Sequence, residues 1–184
     1  MSSAFVERWQ RRPPFPPQHA LHPWLTDAGS LTARIAARCG RVSVRLLSQR
    51  LAVPRHDEAL LAGVRPGRRA WLREILLCAD GVPVVYARSI LPRTAVRGAW
   101  MMFAGIGSRP LGAALFSDPL IARSPLAVHR LDRRDARYHR AIAAAGSKQP
   151  PALWARRSRF ERQGRALVVC EIFLSAILDL PAQP

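Results

Sequence analysis

Residues 71–91 carry the pattern that most limits how this chain can fold. Trp71-Leu72-Arg73-Glu74-Ile75-Leu76-Leu77-Cys78-Ala79 and the stretch 82–91 are apolar, extended-type runs, and Asp80-Gly81 between them is a tight-turn signal. Two such runs separated by two turn residues predict an antiparallel hairpin. A second pair of runs, 153–162 and 165–174, meets at Gln163-Gly164 and reads the same way. Val42, Val44 and Leu46 alternate with Arg41, Ser43 and Arg45, which predicts a half-buried strand over 42–47, and another is expected over 126–131. Between the strands, helices are expected at 31–38, capped by Asp27 or Ser30 and stopped by Gly40, and in a short piece at 57–62 within the connection 50–69. Two more are expected at 95–104 and 111–116, separated by Gly105, Gly107 and Pro110. The sum is an α+β fold with a single antiparallel sheet of about six strands.

Two charges sit where this pattern expects dry surface. Alternation places Arg73 on the face of Trp71, Ile75 and Leu77, and Glu171 on the face of Leu167, Val169 and Phe173. A lone ion in such surroundings is costly and needs a partner or a ligand. Either the two residues belong to a structural arginine–carboxylate pair, or they face a buried anionic ligand.

Length and composition narrow the alternatives. A chain of 184 residues, 49% hydrophobic, is sufficient for one sizeable core and is read as one domain. Residues 1–17 are interrupted by prolines and by Glu7, Arg8, Arg11 and Arg12, so they lack the apolar stretch of a signal peptide; no segment is long enough to span a membrane, and a cytoplasmic protein is expected. Cys39, Cys78 and Cys170 are odd in number and widely spaced, as reduced core thiols are. The formal charge of +17 raises the question of nucleic acid, but Lys148 is the only lysine and the arginines are spread along the chain without interleaved aromatics, which argues for a solvated basic surface. A positive field of this kind also attracts small anions. His19-x-x-His22 lacks a third ligand nearby and lies among prolines, so a surface loop is expected there rather than a metal site, and Ser117-Asp118 reads as a turn.

The wording of the segments says more than their pattern. Trp71-Leu-Arg-Glu-Ile-Leu-Leu-Cys-Ala-Asp-Gly81 closely resembles a signature of bacterial chorismate pyruvate-lyases. Ala87-Arg-Ser-Ile-Leu-Pro92 resembles the next strand of that family, Pro110-Leu-Gly-Ala-Ala-Leu-Phe116 its central helical segment, and Leu153-Trp-Ala-Arg-Arg-Ser-Arg159 with Glu171-Ile-Phe-Leu174 its last hairpin. The resemblance runs in order from about Trp24 to Leu174. It divides the chain into a proline-rich N-terminal extension, 1–23, and a chorismate lyase-like domain, 24–180, with an insertion at 132–150 whose role is unknown and in which a small helix is expected at 141–145.

The resemblance implies helical flaps covering an internal ligand site on the sheet. It implies elimination of pyruvate from chorismate to give 4-hydroxybenzoate for ubiquinone biosynthesis, without metal or other cofactor, by a protein expected to be a monomer. Arg73 matches the family residue that holds the ring carboxylate, Glu171 the one that hydrogen-bonds the C4 hydroxyl, and Leu31 and Leu111 the positions whose backbone amides meet the ligand as the flaps close. Leu31 stands where the family has methionine, and Ala155 where it has glycine. Arg88, placed with Val84, Tyr86 and Ile90, is a further candidate, for the enolpyruvyl carboxylate. A different class of reading is a non-catalytic sensor of small aromatic acids, since the fold is similar to effector-binding domains of bacterial transcription regulators; no recognisable DNA-reading module is expected before Trp24. A nucleic-acid binder is the third reading.

Overall fold

The Asp80-Gly81 hairpin is formed in the computed structural model, which describes residues 9–146, 148 and 150–181. Strands β2 (Ala70–Ala79) and β3 (Val82–Pro92) pair antiparallel, and both turn residues have positive φ, 48° at Asp80 and 85° at Gly81. That geometry twists with the strands, which is why a short polar residue followed by glycine marks it. The Asp80 carboxylate accepts from the amides of Gly40 and Arg41, at 3.1 and 2.7 Å, and so ties the turn to the start of β1 (Val42–Ala52). Gln163 and Gly164, with φ of 51° and 68°, join β6 (Ala152–Arg162) to β7 (Arg165–Phe173) in the same way.

Among the described residues, seven strands form one antiparallel sheet in the order β1-β2-β3-β7-β6, with β4 (Ala122–Arg123) and β5 (Ala127–Asp132) sharing the outer edge of β6. The extra strand relative to the sequence reading is β4, whose two residues are too few to show any periodicity. β1 continues to Ala52 rather than ending near residue 47, because a register shift between Leu46 and Ser48 breaks the alternation that would have revealed it.

The register lines residues up in rungs across the sheet. Arg73 lies opposite Ser89, Ser89 opposite Val169, and Val169 opposite Ser158; on the adjacent rung Ile75 lies opposite Ala87, Ala87 opposite Glu171, and Glu171 opposite Arg156. All of these belong to one face. Over it lie α1 (His22–Thr26), α2 (Leu31–Ala36) and α4 (Leu111–Ser117), whose Trp24, Leu25, Leu31, Ile35, Leu111 and Leu115 are buried. Ser30 caps α2 by accepting from the Ala33 amide, as expected, and the helix stops at Ala36, short of residue 38. α1 was not expected among the prolines; in the preceding described residues, Gln10 makes an isolated bridge to Val128. Residues 1–8 of the expected N-terminal extension lie outside the described residues.

The opposite face is covered by α3 (His56–Ala62) and α5 (Ala136–Ala145). α5 is twice as long as the helix expected at 141–145: the Asp135 side chain caps it at the Arg137 amide, and Gly146 closes it with φ 66°. Its Tyr138, Ala141 and Ala145 pack with Leu76, Tyr86 and Cys170 of the sheet, so the segment expected as an insertion forms part of the back layer. Burial raises the Cys170 thiol to about 12, and it behaves as core.

The helix expected at 95–104 is replaced by two 3-10 turns, Arg93–Arg97 and Met101–Phe103, broken at Gly98. This segment is pinned by Trp100, which is fully buried and donates from Nε1 to the Arg165 carbonyl at 2.9 Å. Burying a side chain of this size stabilises by about 2–3 kcal/mol, sufficient to fix an otherwise irregular run.

Candidate active site

Between the front face and α2 and α4 lies a cavity of about 50 Å³. A single water needs about 10–15 Å³ on this measure, so only a small molecule suits it. Its lining contains Arg73, Arg123, Arg156 and Glu171 as the charged residues, with Ile75, Leu77, Phe160 and Val169 as apolar walls and Leu31 and Leu111 from the helices above. Three guanidinium groups against one carboxylate leave two positive charges, in apolar surroundings where charge interactions are strong.

Arg73 is 1% exposed. One terminal nitrogen donates to the carbonyls of Gly107 and Arg109, at 2.8 and 2.9 Å, and Nε meets no acceptor. It has no carboxylate partner among the described residues. Burial lowers its pKa to about 10, so the group remains a cation at neutral pH in a place that penalises one. The segment supplying the carbonyls turns through Gly107, at φ 50°, and is held to β1 by Gln49, whose Nε2 donates to the Phe103 carbonyl at 3.2 Å.

Glu171 accepts from Arg156 Nε at 2.5 Å. Arg156, itself 1% exposed, also donates to the carbonyls of Trp24 and Asp27, at 2.9 and 2.8 Å, and thereby anchors the loop between α1 and α2 to the sheet. The structural ion pair that the sequence left open is therefore formed, but between Glu171 and Arg156. Arg123 on β4 donates to Ser158 Oγ through Nε and NH2, at 3.1 and 2.7 Å, and through NH1 to the carbonyl of Ala28. Its guanidinium sits 5.2 Å from the ring centres of both Phe116 and Phe160. Burial, and then the charge of Arg156, push its pKa down.

The two flap helices touch above the cavity. A Cβ at Gly112 would lie 3.3 Å from Ser30 Oγ and 3.4 Å from Thr32 Oγ1, so glycine permits the approach of α4 to α2. Leu31 and Leu111 are each the first residue of their helix, where backbone N–H groups have no intrahelical acceptor.

Arg73, Glu171, Leu31 and Leu111, the residues singled out from the sequence, all lie in the lining of this one cavity. Arg88 requires correction. It points to the back face, where Nε lies 3.0 Å from Glu58 and NH1 2.7 Å from Glu74. The Glu74 carboxylate also accepts from Tyr86, Ser48 and Arg140. β3 is buried on both faces, so apolar neighbours did not tell which side Arg88 takes; Ala87 and Ser89 hold the cavity side. Arg156 and Arg123 were not singled out. The alternation of Arg156 with Ser158 and Phe160 was readable but was masked by the arginines at 157 and 159, and two-residue β4 offered no signal for Arg123.

The structure is thus an α+β sheet holding a small, cationic cavity under paired helical flaps. Solved domains of this architecture include the effector domain of PhnF from Mycobacterium smegmatis, at TM-score 0.55 and 18% identity over 80% of this chain and 89% of that one. The C-terminal domain of the histidine utilization repressor from Pseudomonas syringae pv. tomato also matches, at TM-score 0.55 and 12% identity over 78% and 99%. At these identities the likeness concerns the fold alone. A family profile described as chorismate lyase matches residues 6–180. A probable chorismate pyruvate-lyase of Aromatoleum aromaticum is 66% identical over 95% of this chain and 96% of its own length. One of Azoarcus sp. (strain BH72) is 57% identical over 97% and 96%. The chain belongs to the chorismate lyase family and is a lyase. Among the described residues no helix is long and apolar enough to cross a membrane.

Proposed function

We propose that this lyase eliminates pyruvate from chorismate to give 4-hydroxybenzoate, the ring precursor of ubiquinone. The observation that carries the reading is Arg73, a buried guanidinium without a carboxylate partner among the described residues, in one small cavity with Glu171. Its planar fork suits the ring carboxylate. Glu171 hydrogen-bonds the C4 hydroxyl, which becomes the phenol. Leu31 and Leu111 offer backbone amides from the flaps. Arg123, rather than Arg88, is the arginine placed for the second carboxylate, and the two surplus positive charges of the lining match a dianion.

The chemistry asks little of the protein beyond orientation and dryness. The C3–O bond to the enolpyruvyl group breaks, the C4 hydrogen passes to the enolpyruvyl methylene carbon, and the ring becomes aromatic. Atoms balance between chorismate and the two products, with no oxidant, reductant or water consumed. Glu171 fixes the C4 centre while Arg73 and Arg123 hold the two carboxylates, so the hydrogen and its acceptor carbon stay in reach of each other.

Purified protein mixed with chorismate and a chelator tests the reading. Growth of the ultraviolet band of 4-hydroxybenzoate with an equal amount of pyruvate is expected. Tight binding of 4-hydroxybenzoate without turnover would overturn it in favour of a sensor.

A further inference from the structure

Phe116 and Arg123 line two spaces at once: the inner cavity and an open cleft of about 850 Å³ on its outer side. Arg11, Arg12, His22, Thr26 and Ser124 contribute to the walls of that cleft, and among the described residues no carboxylate does. The two N-terminal arginines are exposed yet held in place. Gln10 N donates to the Val128 carbonyl at 2.8 Å, the Val128 amide returns a bond to Gln10 at 2.7 Å, and Pro13 is buried just beyond them. Gathering three guanidinium groups around a cleft with no acid among its described walls makes a positive well that favours anions.

We infer that this cleft is a second, outer anion site, which receives a small ring carboxylate before it passes Phe116 into the cavity. The identity of the ligand rests on the proposed function; the existence of the site does not. Arg123 is the link, because its guanidinium is already fixed by Ser158 and by the two phenyl rings and borders both spaces. Phe116, 43% exposed, adds an aromatic edge at the junction. A cavity closed by touching flaps exchanges its contents only when they part, so an anion waiting outside raises the fraction of openings that end in capture.

Titration of isotope-labelled protein with 4-hydroxybenzoate, followed by amide chemical shifts, tests the inference. Two sets of shifts are expected: a tight set at Leu31 and Leu111, and a set at least tenfold weaker at Thr26 and Ser124. In the double variant R11S/R12S the weak set disappears and the tight set stays. Its kcat on chorismate is unchanged, while kcat/KM at low salt falls roughly five- to tenfold. The control R68S/R69S removes the same charge beside a separate cleft lined by Pro92 and Arg93, and keeps kcat/KM within twofold. Absence of the weak set, or an equal loss in both double variants, would overturn the outer site. Turnover of chorismate without a weak set leaves the proposed function standing, and a weak set without turnover leaves the outer site standing, so the two fail separately.

Discussion

Arg73 and Glu171 face one cavity from strands two apart, on neighbouring rungs with β3 between them, and do not bond each other. Strand spacing and rise put their Cα atoms about 12 Å apart along that diagonal. The carboxylate is taken by Arg156, and the guanidinium of Arg73, among the described residues, only by backbone carbonyls. One end of the site is thus a satisfied ion pair and the other an unneutralised cation, an asymmetry that suits a ring with a carboxylate at one end and a hydroxyl at the other.

Glu171→Gln separates orientation from proton transfer. If Glu171 only positions the C4 hydroxyl, kcat falls about 10- to 100-fold, the worth of one hydrogen bond to a charged group. The primary isotope effect with C4-deuterated chorismate, measured in single turnovers, is then retained. A loss near 10⁴-fold would assign the carboxylate a proton-transfer role instead.

Gly112→Ala probes the contact of the flaps. The added methyl must displace the Ser30 and Thr32 hydroxyls by a few tenths of an ångström. A cost of about 0.5–1 kcal/mol to the closed state follows. The affinity for 4-hydroxybenzoate, measured by calorimetry, is expected to fall roughly two- to fivefold, with faster dissociation and no loss of kcat.

Arg88→Met tests the reassignment of that residue. It leaves Glu58 and Glu74 short of a buried counter-charge, a loss of about 3–5 kcal/mol. For a chain of this length the melting temperature is expected to fall on the order of 10 °C, while KM for chorismate measured below the transition stays within twofold.

Acid should destabilise the protein through the same back-face network. Burial alone would raise the Glu74 carboxyl, but the Tyr86 hydrogen bond and the charges of Arg88 and Arg140 outweigh it and hold its pKa below the usual range. Asp135 is likewise lowered, since Arg137 outweighs its burial. A group depressed in the folded state stabilises above its unfolded value and loses that contribution as pH falls through the folded one. Glu58, raised by burial, acts in the opposite sense above the carboxylate range. Thermal melts are therefore expected to drop steeply below about pH 4, and Glu74→Gln to flatten that drop while lowering stability at neutral pH.

Period-two alternation carried most of the legible structure. It sets Arg73 with Ile75 and Glu171 with Val169 on the face that lines the cavity, because the pairing register does not slip between those residues, and Asp80-Gly81 and Gln163-Gly164 mark both hairpins by turn chemistry. It was ambiguous for Arg88, where both faces of β3 are dry, and it failed at Leu46, where the register slips. Arg156 and Arg123 answer to tertiary partners far along the chain, the carbonyls of Trp24, Asp27 and Ala28, which no local pattern announces. The irregular segment 93–106 depends on Trp100 finding the Arg165 carbonyl, a long-range contact that overrides the helical composition.

If Arg73 is kept buried for a ligand and not for the fold, removing it should cost binding far more than stability. Calorimetric titration of 4-hydroxybenzoate into wild-type protein and Arg73→Met, with thermal melts of both, tests it most directly. The variant is expected to melt within a few degrees of wild type, because removing a buried uncompensated charge offsets the two lost carbonyl hydrogen bonds, and to bind at least about 30-fold more weakly. A folded Arg73→Met protein whose affinity lies within threefold of wild type would contradict it.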